Sequence, residues 1–286
     1  MTIVVPQQSH HTYALLDSGN GQRLEQFDSQ TIIRPDVTCI WQPQHKNLWQ
    51  NADLICSKNQ QGSRYVWKKQ KTGATDQWNY SYHHPALQPL TFLLRTSEQS
   101  KNVGIFPEQA AHWDWLVERA ARNNILNLFA YTGGATLAIA TAGAKVCHVD
   151  ASKTTVAWAR QNAERNGLEN APIRWIIEDC LTFMQREIKR GKQYGGIIMD
   201  PPAFGRDPNG NVFNFESSIH QLLAAAKQLL MPDGFLLLNV YSVSLYATHV
   251  ANVVRDYFPE RNIEYGELHV QGGGNNVPCN VFVRVS

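Results

Sequence analysis

The chain lacks a long apolar run, a paired set of cysteines and a large excess of charge. No apolar segment in its 286 residues approaches the ~20 residues that a membrane-spanning helix needs. The five cysteines are scattered and none forms a C-x-x-C pair, which argues against a disulfide framework and a zinc site. The first residues also lack the basic and apolar regions of a signal peptide. The sequence therefore predicts no metal, no membrane association and a reducing cytoplasm as the location.

Charge is nearly balanced, with 26 basic and 24 acidic residues, so net charge alone does not indicate a nucleic-acid binder. Its distribution is more informative, because the only acid between Leu54 and Ser97 is Asp76. The basic and aromatic residues of this segment are Lys58, Arg64, Lys68, Lys69, Lys71 and Arg95, with Tyr65, Trp67, Trp78, Tyr80, Tyr82, His83 and His84. Cations beside stacking rings are typical of an RNA-facing surface. A small β domain with an aromatic core and solvated lysines is the open alternative.

Two parts of the chain differ in pattern, and they predict two domains. Residues 1–100 contain short β-leaning segments divided by turn signals, and the predicted strands are Tyr13–Leu16, Thr31–Arg34, Thr38–Trp41 and Arg64–Lys68. Four of the eight tryptophans fall in this part, as expected of a small domain with a compact core. We expect a small β-rich N-terminal domain over 1–100 that docks substrate, and a second domain over 101–286.

The second domain alternates strands with helices, which predicts a parallel sheet with helices on both faces. The predicted strands are 125–130, 145–149, 173–177, 196–199, 235–240, 263–270 and 281–285, and the predicted helices are 110–122, 135–142, 153–166, 181–189, 216–230 and 245–257. The glycine-rich joint over 271–276 indicates a hairpin between the last two strands. The final strand is therefore expected to be antiparallel.

The most informative stretch is Asp200-Pro201-Pro202-Ala203-Phe204, directly after the apolar run 196–199. Two prolines end a strand abruptly because neither can donate to a sheet ladder. The carboxylate is thus held at the carboxyl edge of a buried strand, where open α/β sheets bind ligands. An acid, free carbonyls and a ring at this edge suit a flat group that carries an amine.

Two more acids close neighbouring strands, Asp150 after the second and Asp179 after the third. An acid at the second position suits the ribose hydroxyls of an adenosine-containing ligand. The first strand leads into Gly133-Gly134, which permits a tight turn at a helix N-terminus but does not match the G-x-G-x-x-G of nicotinamide enzymes. Each acid taken alone is better explained as a helix cap. Three at successive strand ends outline one pocket.

Taken together, several motifs resemble those of the class I S-adenosylmethionine (SAM)-dependent methyltransferases. The motifs are 127–134 (Asn-Leu-Phe-Ala-Tyr-Thr-Gly-Gly), 148–152 (His-Val-Asp-Ala-Ser), Glu178-Asp179, 200–204 (Asp-Pro-Pro-Ala-Phe) and 104–109 (Gly-Ile-Phe-Pro-Glu-Gln). The nearest group is the bacterial large-subunit ribosomal RNA methyltransferases. The resemblance covers about 100–285 and implies a Rossmann-like sheet of seven strands with the last antiparallel, SAM as cofactor and ribosomal RNA as substrate.

By position, the resemblance also implies functional residues. The cofactor contacts would be Phe106, Gln109, Phe129, Tyr131, Thr132, Gly133, Asp150, Ala151, Ser152, Asp179, Cys180 and Asp200. The target site would be formed by Asp200, Pro201, Pro202 and Phe204, with Tyr241 as an alternative stacking ring. Independently of the resemblance, the turn-rich composition of the insert 205–211 favours a mobile lid. Contact of its Arg206 with substrate phosphate and an ordinary surface arginine are equal alternatives.

The target atom is constrained by missing thiols. Cytosine-C5 members of the group attack the base with a cysteine, since ring carbon is a poor nucleophile without covalent activation. Here Ala203 follows the prolines, and the segment 239–244 after the fifth strand has no cysteine. The sequence therefore favours a nitrogen or oxygen target. The alternatives are a methyltransferase of protein or small molecules, a catalytically silent binding protein, and a nicotinamide dehydrogenase, which the glycine spacing disfavours.

Overall fold

The structure, a computed structural model, describes residues 1–120, 123–206, 212–241 and 245–286. Most of the expected lid over 205–211 therefore lies outside the described residues, as does the side chain of Arg206. The predicted end of the first helix at Arg122 and the start of the loop after Tyr241 also lie outside them.

The strands and helices of the described residues are numbered along the chain. The strands are β1 (Thr2–Val4), β2 (Tyr13–Gly19), β3 (Gln22–Phe27), β4 (Gln30–Pro35), β5 (Leu54–Lys58), β6 (Tyr65–Lys69), β7 (Gln77–Tyr82), β8 (Leu90–Arg95), β9 (Asn124–Leu128), β10 (Lys145–Asp150), β11 (Ile173–Ile177), β12 (Tyr194–Met199), β13 (Phe204–Arg206), β14 (Val212–Asn214), β15 (Leu230–Val240), β16 (Ile263–Gly272) and β17 (Asn275–Val285). The helices are α1 (Ala110–Ala120), α2 (Gly134–Thr141), α3 (Lys153–Arg165), α4 (Cys180–Lys189), α5 (Phe215–Leu229) and α6 (Ala247–Tyr257).

The chain forms two compact units, and neither is one continuous segment. The first unit consists of Met1–Val4, His112–Leu268 and Cys279–Ser286. The second consists of Val5–Ala111 and His269–Pro278. The sequence predicted two continuous domains, 1–100 and 101–286, whereas these units consist of three segments and two segments.

The first unit contains a mixed sheet in the order β1-β16-β17-β15-β12-β9-β10-β11. β17 runs antiparallel to β15, whereas β12, β9, β10 and β11 are parallel neighbours. The α/β fold with a reversed last strand is thus confirmed. The sheet has eight strands and not the expected seven, because β1 pairs in parallel with β16 at the edge. Gly266 permits this pairing, since a Cβ there would lie 1.8 Å from the Thr2 carbonyl oxygen.

Both faces of this sheet are buried, which explains the continuous apolar runs of its strands. Along β12, Ile197 and Met199 pack into the core beneath α4, α5 and α6. Ile198 between them packs into the opposite core, with Leu116 of α1 and Ile139 of α2. Successive side chains point to opposite faces of a strand, so Asp200, two residues after Ile198, leaves the strand on the α1/α2 side.

The second unit is β-rich, with a five-stranded sheet in the order β2-β3-β4-β5-β6 and a hairpin of β7 and β8. The strand predicted over Thr38–Trp41 is wrong, because these residues form a turn. The carboxylate of Asp36 accepts hydrogen bonds from the Thr38 amide at 3.1 Å and the Thr38 hydroxyl at 2.7 Å. Such local side-chain bonds compete with a sheet ladder, and Ile40 is left 85% exposed.

Candidate active site

The turn between β9 and α2 has an unusual backbone. Phe129, Tyr131 and Gly133 all have positive φ, at 55°, 50° and 92°. A left-handed conformation is uncommon for residues other than glycine and costs about 1–3 kcal/mol at each. The surrounding structure must therefore hold Phe129 and Tyr131 in place, and such strain is typical of ligand sites.

The two adjacent glycines serve different purposes. Gly133 precedes α2 in the left-handed region that favours glycine. Gly134 instead makes room for a ring, because a Cβ there would lie 2.4 Å from Cζ2 of Trp113. The group that approaches the backbone at Gly134 is therefore a core tryptophan.

Asp150 fastens the turn to the end of β10. One carboxylate oxygen accepts a hydrogen bond from the Tyr131 amide at 3.0 Å, and the other accepts from the Ser152 amide at 2.9 Å. Burial raises the pKa of Asp150, although these two backbone donors oppose the shift. Each oxygen keeps a second lone pair, so the carboxylate can also accept from ligand hydroxyls.

Cys180 holds the turn from the other side. Its sulfur accepts a hydrogen bond from the amide of Phe129 at 3.2 Å. Burial raises the pKa of the Cys180 thiol well above its ordinary value, with the Phe129 amide acting in the opposite direction. The thiol therefore supports the strained backbone and is unsuited to nucleophilic attack.

The acids after β11 have structural partners. Asp179 caps α4, because its Oδ1 accepts from the Thr182 amide at 2.8 Å. Glu178 forms an ion pair with Arg186 at 2.6 Å. Ser152 likewise caps α3 by accepting from the Thr155 amide at 3.3 Å. The capping alternative that the sequence left open for the acids therefore accounts for the side chain of Asp179 in this structure. Ser152 is a helix cap as well.

The loop after β12 presents a carboxylate, a proline carbonyl and an exposed ring. The Asp200 amide donates to the Leu128 carbonyl at 3.4 Å, so the backbone of Asp200 still bonds the last residue of β9. Pro201 is buried and Pro202 is exposed. Phe204 is 58% exposed, unusual for an aromatic side chain of this size. The amide of Phe215 fixes the loop by donating to the Ala203 carbonyl at 3.1 Å.

The other predicted contacts are distributed between the two units. Thr132 is fully buried, and its carbonyl accepts from the Asn162 amide group at 3.0 Å. Ala151 is half-buried beside Asp150. Phe106 and Gln109 belong to the second unit, where the Gln109 amide donates to the Phe106 carbonyl at 3.0 Å.

A buried polar chain beneath the glycine turn was not predicted from the sequence. The Asn127 amide group donates to the Thr136 hydroxyl at 2.9 Å, and this hydroxyl also bonds Nδ1 of His148 at 2.9 Å. Burial, together with the nearby charge of Arg160, lowers the pKa of His148 to about 3, so the ring is neutral. These hydrogen bonds join β9, α2 and β10. Its only sequence signal is a polar residue inside each of two otherwise apolar strands.

Comparison with known proteins decides the family. Residues 87–254 match the family described as S-adenosylmethionine-dependent methyltransferase. The chain belongs to this family. Its cofactor is accordingly SAM. Open α/β sheets in general bind ligands at the carboxyl edge of their strands.

One solved structure resembles the methyltransferase throughout. The SAM-dependent methyltransferase from Agrobacterium tumefaciens is 34% identical, with a TM-score of 0.92 over 100% of this chain and 93% of that chain. SMU.776, solved in complex with SAH, shares the fold with a TM-score of 0.76 at 18% identity, over 96% of this chain and 75% of that chain.

Curated relatives match part of the methyltransferase. The ribosomal RNA large subunit methyltransferase K/L of Pseudoalteromonas translucida is 33% identical over 140 residues, which are 48% of this chain and 19% of the relative. The large subunit methyltransferase K of Neisseria meningitidis serogroup B is 34% identical over 121 residues, which are 42% of this chain and 34% of the relative. The match therefore spans less than two thirds of either relative.

The basic and aromatic segment of the methyltransferase divides into core and surface. Trp78, Tyr80 and Tyr82 of β7 are buried and belong to the core of the second unit. Tyr65 and Trp67 of β6 are half-buried.

Three of the cations in this segment are paired. Lys69 bonds Asp76 at 2.6 Å, Lys71 bonds Asp53 at 3.2 Å and Arg64 bonds Glu98 at 3.3 Å. Lys58 and Lys68 are exposed on β5 and β6. Each of the two sequence interpretations thus accounts for part of the segment.

Two features are absent from the residues that the structure describes. Within them, no three His, Cys, Asp or Glu side chains are grouped so as to hold a metal ion. The helices within the same ranges are each too short or too polar to traverse a bilayer.

Proposed function

We propose that the chain methylates a nitrogen or oxygen atom of a base in ribosomal RNA. The observation that carries this proposal is that Asp200, the Pro201 carbonyl and the exposed ring of Phe204 lie on one short loop. This loop follows β12 at the carboxyl edge, beside the cofactor turn. A base is a flat group with hydrogen-bonding edges. A carboxylate and a carbonyl can accept hydrogen bonds from such an edge, and an aromatic ring can stack on the face of the base. The names of the two curated relatives support ribosomal RNA as its source.

Cofactor binding is proposed to rest on the turn and on Asp150. The carboxylate of Asp150 is already oriented by the amides of Tyr131 and Ser152, so it can accept ribose hydroxyls without reorganising. The strained backbone at Phe129 and Tyr131 brings main-chain atoms close to the ligand. Asp179 and Cys180 contribute to this site by fixing α4 and the turn.

In methyl transfer the protein mainly positions the reactants, because the bound cofactor supplies an already activated methyl group. Asp200 and the Pro201 carbonyl accept hydrogen bonds from the target base, and Phe204 stacks on its face. With SAM bound, a base held in this way would present its nucleophilic lone pair to the methyl carbon; the carbon–sulfur bond would break as the new bond forms, and the target's proton would pass to solvent. A target inside an RNA helix must first be flipped out, at a cost of a few kcal/mol.

The cysteines of the described residues support a nitrogen or oxygen target. Cys39, Cys56, Cys147 and Cys180 are buried, and Cys279 lies on β17. Burial raises the pKa of Cys147 to about 11, where the thiol stays protonated at neutral pH. Carbon-5 chemistry needs a thiolate beside the base, and none of these sulfurs follows β12 or β15.

The test is a methylation assay with radiolabelled SAM. We expect incorporation into large-subunit ribosomal RNA from a strain that lacks the gene, and none into RNA from the parent strain, which is already methylated. Asp200→Ala should lower kcat by about a hundredfold while the dissociation constant of SAH, measured by calorimetry, changes little. Label appearing only in protein would refute the RNA proposal, and wild-type turnover of Asp200→Ala would remove Asp200 from the target site.

RNA docking by the second unit has its own test. Each exposed lysine that neutralises a phosphate adds about one to the magnitude of the slope of log affinity against log salt. We expect Lys58→Ala/Lys68→Ala to flatten this slope by about two. The matched control is Lys189→Ala/Lys192→Ala, which removes the same charge just before the start of β12, at the end of that strand opposite its carboxyl end. An unchanged slope for the first pair would favour solvated lysines with no role in binding.

A further inference from the structure

Two short strands carry the exposed ring of the proposed target site. In the β13–β14 pair, Phe204 lies opposite Asn214 and Gly205 lies opposite Phe213. Directly opposed side chains share one face of a ladder, and successive residues alternate between its faces. Phe204 and Asn214 therefore project to one face, and Phe213 projects to the other. Phe204 is 58% exposed, whereas Phe213 is half-buried and packs against the apolar core of the first unit.

The face that carries Phe213 contacts the cofactor turn. The ring centroids of Phe213 and Phe129 are 5.3 Å apart, and the two rings are inclined at 54°. This distance is within the range of a favourable aromatic pair. Phe129 is the left-handed residue of the turn whose amide donates to the sulfur of Cys180 at 3.2 Å. The ring contact thus joins the backbone that is proposed to bind SAM to the strand pair that presents Phe204.

Two hydrogen bonds attach the β13–β14 pair to the start of α5. The Phe215 amide donates to the Ala203 carbonyl at 3.1 Å, one residue before Phe204. Asn214 caps α5, because its Oδ1 accepts from the Ser217 amide at 3.0 Å. These bonds hold the pair against the helix, and the ring contact with Phe129 holds it against the turn. The pair is therefore fixed from two sides.

We propose that Phe213 is a positioning residue for methyl transfer, which holds the Phe204 ring at a set distance from the cofactor turn. In-line displacement needs the reacting atoms about 3–3.5 Å apart, and a misplacement of about 1 Å can cost about a hundredfold in rate. Phe213 acts through its neighbours, because it lies on the face opposite to Phe204. This inference rests on the proposed function, since the position of Phe204 matters only if Phe204 stacks on the target base.

A double-mutant cycle on kcat tests the proposal. We expect Phe213→Ala to lower kcat by about tenfold, with little change in the dissociation constant of SAH measured by calorimetry. In a Phe204→Ala background the same substitution should cost almost nothing, because residues that act through one group give strongly non-additive losses. Phe213→Leu keeps apolar volume against Phe129 and should lose less. It enters the same cycle if Phe213→Ala does not fold.

Two further measurements distinguish positioning from a general loss of packing. Phe258→Ala removes a ring of the same size from the same apolar core, just after α6. We expect this control to keep the wild-type kcat at temperatures where it is folded. The Phe215 amide should exchange its hydrogen about tenfold faster in Phe213→Ala, because the strand pair opens locally, and at the wild-type rate in Phe258→Ala. Hydrogen exchange needs neither RNA nor cofactor.

The outcomes separate this inference from the proposed function. Multiplicative losses in the cycle, or wild-type kcat for Phe213→Ala, would overturn the role of Phe213 and leave the proposed function intact. An equal loss of kcat in Phe258→Ala, or an unchanged exchange rate of the Phe215 amide in Phe213→Ala, would do the same. Wild-type kcat and KM for Phe204→Ala would overturn both the role of Phe213 and the stacking of the base on Phe204.

Discussion

At the scale of single residues, the turn after β9 is held by groups that compensate for its strain. Phe129 and Tyr131 adopt left-handed conformations, and each amide has a side-chain acceptor, Cys180 for the first and Asp150 for the second. The acceptors come from β10 and α4, so the turn depends on the neighbouring βα units. A cofactor that binds this turn meets a backbone already fixed by the protein.

Gly134 offers a direct test of how tightly the turn is packed. In Gly134→Ala the new Cβ would meet the Trp113 ring, and overpacking of this kind costs about 1–3 kcal/mol of unfolding free energy. We expect a lower melting temperature and weaker SAH binding. Gly73→Ala is the matched control, since nothing lies within 4 Å of its added Cβ. Equal melting temperatures for the two variants would show that Trp113 moves aside freely.

At the scale of elements, helix caps account for two of the residues that the resemblance assigns to the cofactor. Motif position alone does not distinguish a carboxylate that caps a helix from one that binds adenine, because both lie between a strand and a helix. Asp150 and Asp179 illustrate this. The Asp150 oxygens bond backbone amides of the turn, whereas Asp179 bonds Thr182 in the first turn of its own helix.

Substitution of Asp179 separates these two roles. Asp179→Ala should lower the unfolding free energy by about 0.5–2 kcal/mol, while Asp179→Ser should restore most of it because serine also caps. We expect Asp179→Ser to bind SAH nearly as well as the wild type by calorimetry. Asp150→Ala, in contrast, should bind SAH by about a factor of ten more weakly. A comparable loss of SAH affinity in Asp179→Ser would show that Asp179 contacts the cofactor.

Elements with a strong pattern could be predicted from the sequence, and weakly patterned ones could not. β11 and the start of α3 coincide with their predicted bounds because an apolar run and a serine cap mark them. β15 begins at Leu230, five residues before the predicted start. The strand includes the sequence Pro232-Asp233-Gly234, which is typical of a turn, so the sequence predicts a later start. β1 has three residues, and only its long-range partner β16 identifies it.

The same limit applies to the candidate site. The acids at the strand ends and the Asp-Pro-Pro motif are local signals, and the sequence contains them. His112, within the predicted helix 110–122, is fully buried. Its partner Arg284 lies 172 residues away in the sequence, so only the assembled sheet shows that the two side chains meet.

At the scale of the molecule, the second unit depends on a buried ion pair. Glu25 is fully buried, and its carboxylate accepts from Nη2 of Arg34 at 2.9 Å and from the Tyr13 hydroxyl at 2.9 Å. Burial alone would raise the pKa of Glu25, but the guanidinium of Arg34 more than offsets it and holds the pKa below its ordinary value of 4.5. The pair therefore stabilises the unit above pH 4.5 and loses this contribution as the pH falls through the lowered pKa.

Glu25→Gln should cost about 3–5 kcal/mol at neutral pH, because the charge of Arg34 stays buried without its partner. The unfolding free energy of the variant should also depend less on pH below 4.5. Urea titrations followed by tryptophan fluorescence at several pH values measure both effects. Glu98→Gln removes a carboxylate from an exposed pair and is the control, with little expected change. Identical behaviour of the two variants would argue against a structural role for the buried pair.

The path of the chain has a practical consequence for dissection of the protein. A fragment that starts at residue 101 lacks β1, and the outer backbone groups of β16 then become an open edge that invites aggregation. A fragment that stops at residue 100 lacks 269–278, where Gly272 lies so close to Leu15 that a Cβ would be 1.8 Å from its carbonyl oxygen. Two recombinant fragments produced by a single cut are therefore expected to be insoluble. Separation of the units requires fragments that keep β1 with the first unit and 269–278 with the second.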